Sequence, residues 1–108
     1  MKRGNSVKPV ILGADGPKSV YMVPDIVANH LKEYCLKFCN DWLLNSPEAI
    51  RRYHTPDGCL CYNETAFIDY LNKHLFPDQP SFIVPDIEPA WHAADLPREY
   101  RRIPHFNF

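Results

Sequence analysis

The sequence predicts an α+β fold: a small antiparallel sheet packed against two main helices. Three observations carry that prediction. Two β-branched and aromatic runs, Lys8–Leu12 and Ser19–Val23, flank the turn-rich segment GADGPK, as in a β-hairpin. Between Pro24 and Asn45, Val27, Leu31, Tyr34, Cys35, Phe38 and Trp42 recur at steps of three and four. That spacing gathers them on one face of a helix. A second stripe, Phe67, Leu71 and Leu75, with Ile68, Tyr70 and His74 beside it, marks another helix over NETAFIDYLNKHLF. Burying both stripes against the hairpin satisfies both periodicities at once.

The elements follow in order. Residues 1–7 read as a flexible arm. Pro9 pushes the first strand toward a sheet edge. The glycines of GADGPK lack the spacing of a phosphate-binding loop and belong to a turn. Pro24 and Asp25 suit the start of the long helix, where a missing N–H costs nothing and a negative charge meets the positive dipole end. Cys39 and Leu43 widen its apolar stripe, while Lys32, Glu33, Lys37 and Asp41 fall on the other side. Ser46 is a candidate cap, with Pro47 at the first position of a short helix ending near Tyr53. Thr55-Pro56-Asp57-Gly58 is a turn. The segments 59–62 and 81–84 are candidate further strands of the sheet. Asn63 caps the second long helix and Pro77 ends it. From residue 85 onward prolines alternate with aromatics, which predicts an extended tail wrapping the core and docking Trp91, Phe106 and Phe108 on it. At 108 residues the whole chain fits a single domain.

Composition narrows the function classes. Eleven prolines are about twice the usual share and imply much irregular chain. The net charge is −1; Lys2, Arg3 and Lys8 give the start +3, and Arg98, Arg101 and Arg102 against Glu99 give residues 96–108 +2, so residues 9–95 carry −6. An acidic body with basic ends is unlike a nucleic-acid-binding domain, which shows a basic face. No apolar run is long enough to span a bilayer, and MKRGNSVKP lacks the apolar core of a signal peptide. Four cysteines without export predict reduced thiols in a cytoplasm.

Four sets of residues carry possible chemistry. Cys35, Cys39, Cys59 and Cys61, with His30 and His54 close in sequence, contain enough donors for tetrahedral zinc. A mid-helix CxxxC and a strand-like CxC are poor matches to zinc knuckles, and buried thiols are the plainer reading. If 59–61 is extended, Cys59 and Cys61 point to one side. A cysteine paired with His54 or His30 suffices in principle for a small hydrolase or transferase, but no nucleophile turn accompanies it. Asp57, Glu64 and Asp69 fit a turn, a helix start and a solvated face better than acid–base roles. Finally, the tail offers Trp91, Tyr100, Arg101 and Arg102, residue types enriched where proteins meet.

The strings PVIL, VYMVPD, YCLKFC, NSPEA and CYNETAFIDYLN together resemble a group of short uncharacterised proteins of Gram-positive gut bacteria. That resemblance implies a bacterial cytoplasm and transfers no functional residue. With no complete catalytic constellation, cofactor loop or basic groove in the sequence, the expected role is non-enzymatic. It is protein binding by an accessory, inhibitor-like or immunity-like domain, with an unidentified protein or a second copy as partner. The expected cofactor is none, with a zinc-stabilised module as the alternative and a cysteine-dependent enzyme as the second.

Overall fold

The computed structural model describes residues 6–14 and 16–108. Strand β1 (Val7–Gly13) and strand β2 (Ser19–Pro24) form the predicted hairpin, antiparallel, with Val10 opposite Tyr21 and Ile11 opposite Val20. Two short strands extend it. Strand β3 (Phe82–Ile83) runs antiparallel to β2, and strand β4 (His105–Asn107) runs parallel to β1, giving the order β3-β2-β1-β4. The sheet is therefore mixed rather than wholly antiparallel. The tail crosses the sheet before it pairs, so it arrives at β1 running the same way. The segment 59–62 does not join this sheet. Pro9 lies on the half of β1 that β4 does not reach, so its missing N–H leaves no cross-strand partner unserved.

The predicted arm lies in part outside the described residues, which begin at Ser6. Ser6 and Val7 are not free: the Ser6 carbonyl accepts from the Asp25 N–H at 3.1 Å and from the Gln79 side chain at 2.7 Å, and Val7 pairs with Pro24.

The long helix is not continuous from Pro24. A first turn-and-a-half, Asp25–Asn29, ends where His30 leaves helical dihedrals. The His30 carbonyl then accepts from the Tyr34 N–H, and its Nδ1 lies 3.0 Å from Glu33 Oε1, so His30 starts the central helix over residues 31–45. Within that helix, Phe38–Trp42 forms a wider π turn, in which the Leu43 N–H reaches back to the Phe38 carbonyl. Ser46 is extended at the head of the next helix, Pro47–Tyr53, but its side chain makes no cap bond; Pro47 and Glu48 supply the start instead. Asn63 caps the second long helix as predicted, accepting from the Thr65 N–H at 3.0 Å. This helix runs over residues 64–75 and also ends in a π turn, Leu71–Leu75, closed by the Phe76 N–H on the Leu71 carbonyl at 2.7 Å. The wider turn rotates Leu75 off the stripe predicted from regular spacing, and Leu75 is exposed.

Two apolar clusters lie on opposite sides of the sheet. On the helix side, Val10, Leu12, Tyr21 and Val23 meet Val27, Leu31, Cys35, Phe38, Leu43, Phe67, Tyr70 and Leu71. Phe38 is its hub: its ring is stacked on Trp42 at 5.7 Å and lies within 6.0 Å of Tyr62, Phe67, Tyr70 and Phe108. On the other side, Ile11 and Val20 are covered by Ala90 and Leu96, with Val84, Ile87, Tyr100 and Ile103 around them. The tail thus forms a third layer. Its backbone is tied down at both sheet margins: Lys18 and Ala90 exchange both N–H bonds at 2.6 and 2.8 Å, Ile11 N–H donates to the Pro104 carbonyl at 2.9 Å, and Phe108 N–H donates to Gly13 at 2.8 Å. Phe106 and Phe108 dock on the helix-side cluster as expected. Trp91 does not; it is 65% exposed.

Tyr21 joins the sheet to the second long helix. Burial pushes its phenol up to about 12, and Glu64, which holds the hydroxyl by a hydrogen bond, adds to the shift. The unfolded chain ionises this tyrosine near pH 10, so its contribution is complete below pH 10 and is lost as pH rises from 10 to 12. Screening at the partly exposed Glu64 leaves an effect of about 1–2 kcal/mol. We expect Tyr21→Phe to remove that part of the alkaline destabilisation, read as a flatter urea-unfolding free energy between pH 9.5 and about 11.5.

Candidate functional site

The sheet margin at β3 is the most exposed apolar region near the predicted binding residues. The chain reaches it from the second long helix through a reciprocal pair: the Asn72 side chain donates to the Ser81 carbonyl at 3.1 Å and accepts from the Ser81 N–H at 2.6 Å. This fixes where β3 begins. Phe82 then lies opposite Met22 and Ile83 opposite Tyr21, and Val84 N–H donates to the Val20 carbonyl at 2.9 Å. Antiparallel bonding alternates along a strand, so with Val84 bonded inward the N–H and C=O of Ile83 point away from β2. Phe82 is 50% and Ile83 45% exposed. Further along the same margin, Ala90 pairs with Lys18 and the Lys18 ammonium approaches the Trp91 carbonyl at 3.5 Å, which puts Trp91 on this margin too.

The four tail residues predicted to bind a partner separate here. Trp91, Arg101 and Arg102 are exposed. Tyr100 packs in the cluster beneath the tail, and Arg101 Nε donates to the Leu96 carbonyl at 3.0 Å, so both serve first to hold the tail in place. Arg98, Arg101 and Arg102 line a shallow hollow with Glu99.

The four cysteines do not converge. Cys35 is buried, Cys39 is half-buried, and Cys59 and Cys61 are exposed. Among the described residues, no three His, Cys, Asp or Glu side chains surround a common point. Burial, with Cys39 close by, pushes the Cys35 thiol far above its ordinary range; burial also raises Cys39, against the hydrogen bond it shares with the Tyr62 hydroxyl at 3.6 Å. Both are protonated thiols, unsuited to nucleophilic attack. The two histidines proposed as their partners are engaged elsewhere: His30 with Glu33, and His54 Nε2 with the Leu43 carbonyl at 3.0 Å. Of the three carboxylates, Asp57 bonds the Thr55 hydroxyl within its turn, which lowers its carboxyl, and Glu64 meets Tyr21.

Asp69 belongs to a cluster that the sequence did not announce. Arg52 lies 3.6 Å from Glu48 and 3.7 Å from Asp69, and Glu48 lies 3.3 Å from His74 Nε2. The His74 ring rests against Trp42 at 5.4 Å, and the Arg52 guanidinium covers Tyr53 at 5.2 Å. These groups join the short helix to the second long helix over the aromatic hub. The only sequence signal was the spacing of Glu48 and Arg52, four apart on one helix.

The segment after the short helix is a second, tight hairpin. Thr55 N–H donates to the Cys59 carbonyl at 2.8 Å and Cys61 N–H to the Tyr53 carbonyl at 2.7 Å, so His54 and Leu60 face each other as a non-bonded pair. Gly58 closes the three-residue loop, with its N–H on the Thr55 carbonyl and φ at +90°, a conformation that favours glycine.

No protein-family model matches the chain, and neither a curated protein nor a solved structure matches it. No described helix is long and apolar enough to cross a membrane. Exposure orders the thiols: in the folded protein we expect Ellman's reagent to modify Cys59 and Cys61 promptly and Cys39 slowly. Cys35 should react only as fast as the chain unfolds; prompt modification of Cys35 would contradict its burial.

Proposed function

We propose that this chain is a non-enzymatic protein-binding module that takes up an extended segment of its partner along the outer margin of β3, which no other described strand pairs. The observation that supports this most directly is the outward N–H and C=O of Ile83, set among three exposed apolar side chains, Phe82, Ile83 and Trp91. An incoming strand gains main-chain hydrogen bonds from such an edge and specificity from the side chains beside it. A large exposed aromatic at the same margin has the character of a binding hot spot. An accessory, inhibitor-like or immunity-like role in a reducing cytoplasm fits this surface and the four free cysteines.

Two substitutions separate binding from folding. Trp91→Ala removes a side chain that rests mainly in solvent, and Ile83→Pro removes an N–H that the sheet does not use. We expect both to leave the thermal midpoint nearly unchanged while weakening partner binding by about tenfold or more, measured by calorimetry against the partner recovered with wild-type protein. Leu44→Ala, at an exposed site on the central helix, is the control and should bind as wild type. Equal binding by all four proteins rejects the margin as the interface. Self-association lost in the same two variants assigns the partner as a second copy.

A further inference from the structure

The tight hairpin of residues 53–61 does something independent of the β3 margin. Cys59 and Cys61 flank Leu60, which pairs with His54 across the hairpin, so all three lie in extended chain. Side chains two apart on extended chain point to the same side. Tyr53 and Thr55, bonded to Cys61 and Cys59 across the ladder, share that side, while His54 and Leu60 take the other. Both thiols are exposed. The loop that presents them is stiff: it is closed by the Thr55–Gly58 and Thr55–Cys59 backbone bonds, by the Cys59 N–H on the Thr55 hydroxyl at 3.1 Å, and by the Thr55–Asp57 side-chain bond.

We propose that Cys59 and Cys61 form a two-thiolate chelate for a soft monovalent cation, with Cu(I) as its representative. Ligand number and span point to that ion. No third His, Cys, Asp or Glu joins them among the described residues, so the four donors that zinc requires are missing. Thiolates favour soft cations, Cu(I) and zinc among them, and of these the filled-shell monovalent ion is the one that two ligands in line can satisfy. Extended chain sets the two Cα atoms about 6.6 Å apart, the upper end of the range a disulfide tolerates. A cation seated between the sulfurs bridges that gap without moving the backbone. Binding exchanges two S–H protons, released to solvent, for two S–Cu bonds, and leaves the bis-thiolate complex with one negative charge. No electron is transferred.

The test is an anaerobic titration of the full chain with Cu(I) in competition with bicinchoninate, paired with native mass spectrometry. Wild-type protein should withdraw one Cu(I) per chain from the chelator. Cys59→Ser and Cys61→Ser should each abolish that withdrawal, and Cys39→Ser should leave it intact. Because the thiols face solvent, capping them with iodoacetamide in folded wild-type protein gives a second route to the same loss without relying on a variant's fold. Four results overturn the proposal: no copper withdrawn by wild type; copper retained by the Cys59→Ser/Cys61→Ser double variant; one copper shared by two chains; or Zn(II) held equally well at one per chain.

Discussion

The fold rests on a hairpin that has no polar face to show. Val10, Leu12, Tyr21 and Val23 point one way and Ile11 and Val20 the other, and all six are buried. A strand with alternating polarity needs one cover; this one needs two. The helices supply the first. The second comes from the proline-rich tail, which has only short 3-10 turns and the three-residue β4 yet is fastened at both sides of the sheet by backbone bonds to Lys18, Ile11 and Gly13. Prolines suit that duty. They hold the tail extended with little conformational entropy left to lose, and each removes a backbone donor that burial would have to satisfy.

The helix layer is organised around Phe38. Its wide turn brings Trp42 over the Phe38 ring at an interplanar angle of 19°, and the second long helix answers with Phe67 and Tyr70. Phe108, from the far end of the chain, meets the same ring nearly edge-on. The tail is thus joined to the centre of the helix layer through one side chain. The central helix takes π geometry at this hub, while the second long helix meets it from its α part and turns to π geometry just beyond, where His74 rests on Trp42. The polar group of Glu48, Arg52, Asp69 and His74 then closes the rim of the cluster where the rings run out.

What the sequence revealed was what is local or periodic. The hairpin, both apolar stripes, the Asn63 cap and the Thr55–Gly58 turn follow from neighbouring residues and were legible. The break at His30, the π turns and the exposure of Leu75 depend on how rings pack across helices, and residue spacing alone does not encode that. The parallel placement of β4 depends on the path of the tail over the sheet, and three residues, His105–Asn107, carry no sign of it. Of the predicted surface residues, Trp91 faces solvent while Tyr100 and Arg101 brace the tail, a division that turns on which side of an irregular segment meets the sheet. Pooling the four cysteines as one donor set likewise mixed a buried and a half-buried thiol with two exposed ones.

The tail is a structural layer of the fold, required because the hairpin is apolar on both faces. Native-state hydrogen exchange tests it at single amides. Ile11, which donates to Pro104, and Ala90, which donates to Lys18, should exchange as slowly as the β1–β2 ladder, because losing the tail exposes Ile11 and Val20 and opens the sheet with it. Rapid exchange at Ile11 and Ala90 with the β1–β2 ladder still protected would contradict it, and would make the tail an appendage on a sheet that stands without it.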